Sequence, residues 1–174
     1  MIAGVSQLSH GGGGYNETDI PLSAQPNPCI LKAYAYGQDL TINEQVLEPF
    51  ELIETFKDAV ETAAIALGSP SDPFAPANRT EAGLSASASD TIGHYFSSVS
   101  IHDGAIIVTY DGDDVNQAIW GDELVWTPHV SPDGTISWLC GYAYELTGTQ
   151  PMDGSPGYNS TSIEPRYLPP QCRP

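Results

Sequence analysis

SSVSIHDGAIIVTYDGDD, residues 97–114, holds two β-rich runs joined through the Asp-Gly pair at Asp103 and Gly104. Val99 and Ile101 alternate along the first run; Ile106, Val108 and Tyr110 alternate along the second, so each run presents one apolar face. Asp-Gly between such runs is the composition of a tight hairpin, because both central residues must adopt positive φ. The acidic turn DGDD (111–114), the run ELVWT (123–127), the turn SPDG (131–134) and the run TISWLC (135–140) extend the pattern. Ile136, Trp138 and Cys140 again alternate, and the whole reads as an antiparallel meander with one face free to cover another element.

That element lies upstream. TINEQVLEPFELIETFKDAVETAAIALG (41–68) places Val46, Leu47, Phe50, Ile53, Phe56 (or Lys57), Val60, Ala64 and Leu67 near i, i+3, i+4 spacing, the period of an amphipathic helix. The helix is expected from about Asp39 to Leu67, kinked or restarted at Pro49 and stopped by Gly68-Ser69-Pro70. Continuous from Thr41, it would run about 40 Å. One helix laid on an antiparallel sheet is an α+β domain. The core candidates are Val46, Ile53, Val60, Ile106, Val108, Leu124, Ile136 and Trp138. Between helix and sheet, SPSDPFAPANRTEAGLSASASD (69–90) has little periodicity and reads as a connection hugging the surface. Residues 1–31 carry four consecutive glycines and three prolines and read as an irregular lead segment or linker before a globular domain at 32–174.

At 174 residues the chain suits one domain with a real core. Five Lys and Arg against 22 Asp and Glu give a formal charge of −17, which disfavours direct nucleic-acid binding. No window approaches the roughly 20 apolar residues of a membrane span, and residues 1–31 lack the basic start and apolar run of a secretory signal. Three cysteines without a C-x-x-C pair disfavour structural zinc and fit one disulfide plus one free thiol. A bridge from Cys140 to Cys172 would contribute roughly 3–4 kcal/mol by loop closure and would imply an oxidising compartment.

At this point the sequence resembles the type IV pilins, the major-subunit family of bacterial type IV pili. The resemblance is carried in order by YGQDLTINEQV (36–46), SASASDTIGHYFSSVSIHDGAIIVTY (85–110), and GDELVWTPHVSPDGTISWLCG (121–141) with IEPRYLPPQCR (163–173). The pairing of W-x-C-G with Y-L-P-x-x-C-R makes it specific. It implies an α+β fold in which one long N-terminal amphipathic helix packs on a four-stranded antiparallel sheet. It also implies that Cys140 and Cys172 bridge to close an exposed C-terminal loop. In the family that loop helps mediate adhesion, which here would fall to Tyr142, Tyr144, Met152, Tyr158 and Ile163.

The implied function is a non-enzymatic structural and adhesive subunit of a surface filament, periplasmic before assembly and extracellular after it. Its implied partners are other pilin subunits and a surface receptor or glycan; no cofactor is implied. The second reading is a soluble secreted binding module, for example lectin-like, that does not polymerise. The resemblance departs at the front. The family begins with a short basic leader and a long apolar helix, where residues 1–31 place GGGGYNETDIPLSAQPNPC. The apolar helix is then truncated, supplied by a separate chain, or replaced in a soluble relative.

Other residues carry blander readings. His10, His94, His102 and His129 never fall at i, i+4, and Asp111, Asp113 and Asp114 lack the ordered ligand series of a calcium loop, so no metal site is assigned. No G-x-S-x-G elbow, P-loop or Cys/His pair points to catalysis. Trp120, Trp126 and Trp138 read as core and cross-strand residues before a sugar-stacking surface. Cys29 is the odd thiol, free or bridged between molecules; Asn16, Asn78 and Asn159 head N-x-S/T triplets.

Overall fold

The computed structural model describes residues 41–144 and 147–174, so the readings at His10, Asn16, Cys29 and the boundary at 31/32 lie outside the described residues. Residues 41–47 are helical (α1), Glu48 and Pro49 form a turn, and a second helix follows at Phe50–Leu67 (α2). Pro49 restarts the helix: it stands immediately before α2, and its carbonyl accepts the Ile53 amide at 2.8 Å. The break has a use. Glu48 accepts the backbone amides of His94 and Tyr95 at 2.7 and 2.8 Å, fastening the end of the long connection to the helical joint.

Five strands follow, at Ser98–His102 (β1), Ala105–Tyr110 (β2), Asp122–Val130 (β3), Ile136–Cys140 (β4) and Gln150–Pro151 (β5). The sheet order is β1-β2-β3-β4, all antiparallel, and the short β5 pairs with the far end of β3. Asp103 at φ 46° and Gly104 at φ 77° make the two-residue hairpin between β1 and β2, which requires positive φ at both positions. β3 is longer than the ELVWT run because it serves different neighbours in turn. Its first half pairs with β2 up to Trp126; its second half, 126–130, pairs with β4. Pro128 is tolerated there because β2 has already ended, and its carbonyl accepts the Met152 amide at 3.1 Å.

One face of the sheet and the inner stripe of the helices form the main core. Val46, Ile53, Phe56 and Val60 meet Val99, Ile106, Val108, Leu124 and Trp126, with Phe50 set edge-on to Trp126 at 5.3 Å. Tyr110 is fully buried and donates its hydroxyl to the Val46 carbonyl at 2.7 Å, so burial pushes its pKa well up. Ile136 and Trp138 prove only half-buried, because β4 is the edge strand. Trp138 uses its position to donate its indole N–H to Glu61 on α2 at 2.8 Å. Leu47 and Leu67, which fit the helical period, are exposed, lying at the ends of α1 and α2.

The 69–90 connection is aperiodic yet firmly held. Arg79, buried, donates Nε to the Ser85 carbonyl at 2.8 Å, and its terminal nitrogens donate to the Val99 carbonyl, Ser85 Oγ and Thr91 Oγ1. Its guanidinium also lies 5.2 Å from the Phe56 ring centroid. One cation thus ties the connection, the outer edge of β1 and the helix together.

Candidate functional site: the disulfide-closed loop

β4 ends at Cys140, whose Sγ is bonded to Cys172 across 32 positions of sequence, with Cα atoms 4.6 Å apart. Both half-cystines are buried in the main core. Gly141 turns the chain away at φ 57°, and a Cβ there would stand 2.7 Å from the Cys172 carbonyl oxygen, so only glycine fits. The Gly141 amide donates to Val125 at 2.8 Å and the Tyr142 amide donates to Cys172 at 2.9 Å, so the covalent bridge is flanked by backbone bonds on both sides.

Between the cysteines the chain makes two separate attachments. First, β5 pairs with His129 and Val130, and Met152 enters a small cluster with Ala64 and Ala75. Second, residues 158–162 return along the stretch of β3 that β4 leaves open. The Ser162 amide donates to Glu123 at 3.0 Å; the Glu123 amide donates to Ser162 Oγ at 3.0 Å; the Val125 amide donates to Thr161 Oγ1 at 3.1 Å. Thr127 Oγ1 donates to the Tyr158 carbonyl at 2.9 Å, and Ser160 donates to Glu123 Oε2. Asn159 caps the turn, accepting the Thr161 amide at 3.0 Å and donating to the Gly141 carbonyl at 2.6 Å.

This return segment covers the outer face of the sheet. Ala105, Ile107 and Val125 are buried there with Tyr158 packed over them, and the Tyr158 ring lies 5.0 Å from His102. The sequence carried a signal for it: Ala105-Ile106-Ile107-Val108 is a continuous apolar run, the mark of a strand covered on both faces.

The five surface-recognition candidates separate accordingly. Tyr144 is 79% exposed, and Tyr142 and Tyr158 are half-buried. The Tyr142 hydroxyl donates to the Thr161 carbonyl at 2.8 Å; partial burial first, and Asp122 second, push its pKa up. Met152 and Ile163 are at 0% exposure, which corrects their assignment to a recognition surface. Both are anchors: Met152 sits under the helix end with Ala64, and Ile163 joins the main core beside Tyr167 and Leu168. A loop without regular period gives no indication of which apolar residue turns inward, so the sequence could not separate anchors from exposed aromatics.

Elsewhere, Trp126 is core, Trp138 is half-buried and Trp120 is 60% exposed on the turn before β3. His94 pairs with Asp114 at 3.1 Å and His102 with Asp103 at 3.3 Å, both on the surface, while His129 is buried. Among the described residues no three His, Cys, Asp or Glu are grouped to hold a metal ion, and no helix is long and apolar enough to cross a membrane.

Comparison with known proteins converges on these same elements. Residues 45–173 match the pilin family, described as a bacterial filament protein. The type IV major pilin protein PilE1 of Neisseria gonorrhoeae is 31% identical over 144 residues, covering 82% of this chain and 74% of that one. A fimbrial protein of Neisseria meningitidis serogroup A is 32% identical over 148 residues, covering 82% and 81%. A fimbrial protein of serogroup B is 29% identical over 148 residues with the same coverage.

Proposed function

The chain belongs to the pilin family, and from that premise we propose that it is a non-enzymatic structural subunit of a type IV pilus whose disulfide-closed loop forms an adhesive outer surface. The observation that carries this reading is the loop's construction. The bridge at Cys140 and Cys172 and the seam of residues 158–162 on β3 hold both ends of the loop rigid. Tyr144, left at 79% exposure, is presented from that frame. A rigid aromatic loses little entropy on contact, which suits recognition of a receptor or glycan. The partners are then other pilin subunits and that ligand, and the protein passes through the periplasm to the cell surface.

Immunogold electron microscopy of the producing cells, with antibody raised against residues 41–174, tests the reading. Label along filaments is expected, and Tyr144→Ala should leave filament number unchanged while reducing attachment of cells to their target surface. Label confined to the medium or the periplasm, with no filament decorated, would establish the non-polymerising module instead.

A further inference from the structure

The charges on this domain are unevenly placed along the helix. The described residues hold four Lys and Arg, at Lys57, Arg79, Arg166 and Arg173. Arg79 is buried, and Lys57 pairs with Glu54 on the same helix at 2.7 Å. The exposed guanidiniums of Arg166 and Arg173 therefore form the one concentrated cationic spot among the described residues. They are joined through Arg173 donating to the Arg166 carbonyl at 3.3 Å and to the Leu168 carbonyl at 2.7 Å. Glu164 pairs with Arg166 at 2.9 Å and neutralises part of this spot. Asn43 on α1 donates to the Tyr167 carbonyl at 2.8 Å, which fixes the spot at the front end of the helices.

The opposite end has a contrary character. Beyond the last turn of α2, Phe74 donates its amide to the Ala64 carbonyl and bridges to Asp153, Ser69 bridges to Asp72, and the 131–134 turn lies against Pro70. These contacts gather the exposed carboxylates of Asp72, Asp133 and Asp153 around two exposed apolar side chains, Leu67 at 50% and Phe74 at 45%. Residues 58–78 and 128–157 contain no Lys or Arg at all. Between the two ends lies α2, whose 18 residues alone are about 27 Å long.

We propose that the Arg166–Arg173 end of one subunit docks on the Leu67–Phe74 end, rimmed by Asp72, Asp133 and Asp153, of a second copy of this chain. The occupant is a second copy because the two patches are complementary in sign and lie on opposite ends of one molecule. Two different surfaces meeting head to tail make a heterologous contact, which repeats along an axis where a self-complementary patch would stop at a dimer. In a chain of formal charge −17, two copies brought together at random present acid to acid, so the contact that places guanidinium against carboxylate is selected. The apolar pair supplies the desolvated centre and the charges set orientation. This inference rests on the filament reading and specifies one contact within it.

Two full-length variants test it. Arg166→Glu/Arg173→Glu carries acid at both ends, and Asp72→Arg/Asp153→Arg carries cation at both. Each is expected to keep the wild-type melting temperature to within a few degrees, as all four side chains are exposed. Each alone should lower the association constant of the purified chain, by sedimentation velocity near 0.15 M salt, at least tenfold. A 1:1 mixture should restore it, because each variant's altered end then faces its complement. In cells, each variant alone should give few filaments and co-expression should restore them. Association of either variant at the wild-type level, or a mixture no better than its components, would overturn the contact. If the wild-type cells bear no filaments, the filament reading fails, while the purified mixture still decides whether this contact exists.

Discussion

Removing the Cys140–Cys172 bridge is the most informative perturbation of this domain. With 32 positions between the half-cystines, the chain-entropy relation gives about 3.7 kcal/mol of stabilisation at 25 °C. For a domain of this size each kcal/mol moves the melting temperature by about 3–5 °C, so Cys140→Ser/Cys172→Ser should melt roughly 10–20 °C below the oxidised wild type. Each single serine variant should lose nearly as much as the double, because either one opens the loop; additive single effects are not expected. Calorimetry of the three variants, and of the wild type with and without reductant, measures this. Amide hydrogen exchange then localises it: Ser162 and Val125, bonded across the seam, should lose protection well before Val108 in the middle of the sheet. A fall in melting temperature below about 4 °C, or an exchange pattern in which the seam stays as protected as β2, would refute the view that the bridge holds the loop to the sheet.

Three further outcomes are expected. Arg79→Met keeps much of the volume over Phe56 but leaves the carbonyls of Val99 and Ser85 without their donor; urea unfolding should show a loss of about 2–4 kcal/mol. Gly141→Ala forces a Cβ to within 2.7 Å of the Cys172 carbonyl at a φ of 57°, and non-reducing peptide mapping should recover a lower yield of the native bridge together with a loss of about 1–3 kcal/mol. Tyr110 titrates above the ordinary tyrosine value because the folded site holds it neutral. Its contribution is therefore fully present below about pH 10 and is lost as pH rises through the folded value. Difference absorbance at rising pH should show Tyr110 ionising only with unfolding, and Tyr110→Phe should remove that coupled step.

Much of the fold is local and was legible for that reason. Asp103-Gly104 admits the hairpin because both residues tolerate positive φ, and the helical period from Val46 to Ala64 marks the face that meets the sheet. What was not legible depends on contacts distant in sequence. Whether Ile136 and Trp138 are fully covered depends on β4 being an edge, which periodicity along one strand cannot reveal. Arg79 lies in a Pro- and Ala-rich stretch with no pattern, yet it is the connection's buried latch, its partners lying 6 to 20 positions away. The candidate site was half legible. The two cysteines marked its ends, but Met152 and Ile163 entered the interior through partners on α2 and in the main core, and Tyr142 and Tyr158 are half-buried, leaving Tyr144 as the exposed one of the five.

The seam of residues 158–162 has one more consequence. From Asp122 to Val125, β3 runs past the end of β4, and without the seam the Glu123 and Val125 amides and the Glu123 carbonyl would stand open to any neighbouring chain. Open edges of that kind recruit strands from other molecules and seed aggregation. Thr161 and Ser162 occupy the edge, the hydroxyls of both taking its amides and the Ser162 amide its Glu123 carbonyl, without offering a further strand on which growth could continue. Oxidation of Cys140 and Cys172 thus also guards this edge, because the bridge keeps the loop that covers it in place. A reduced chain, its loop free to peel away, would be the species that chaperones must intercept.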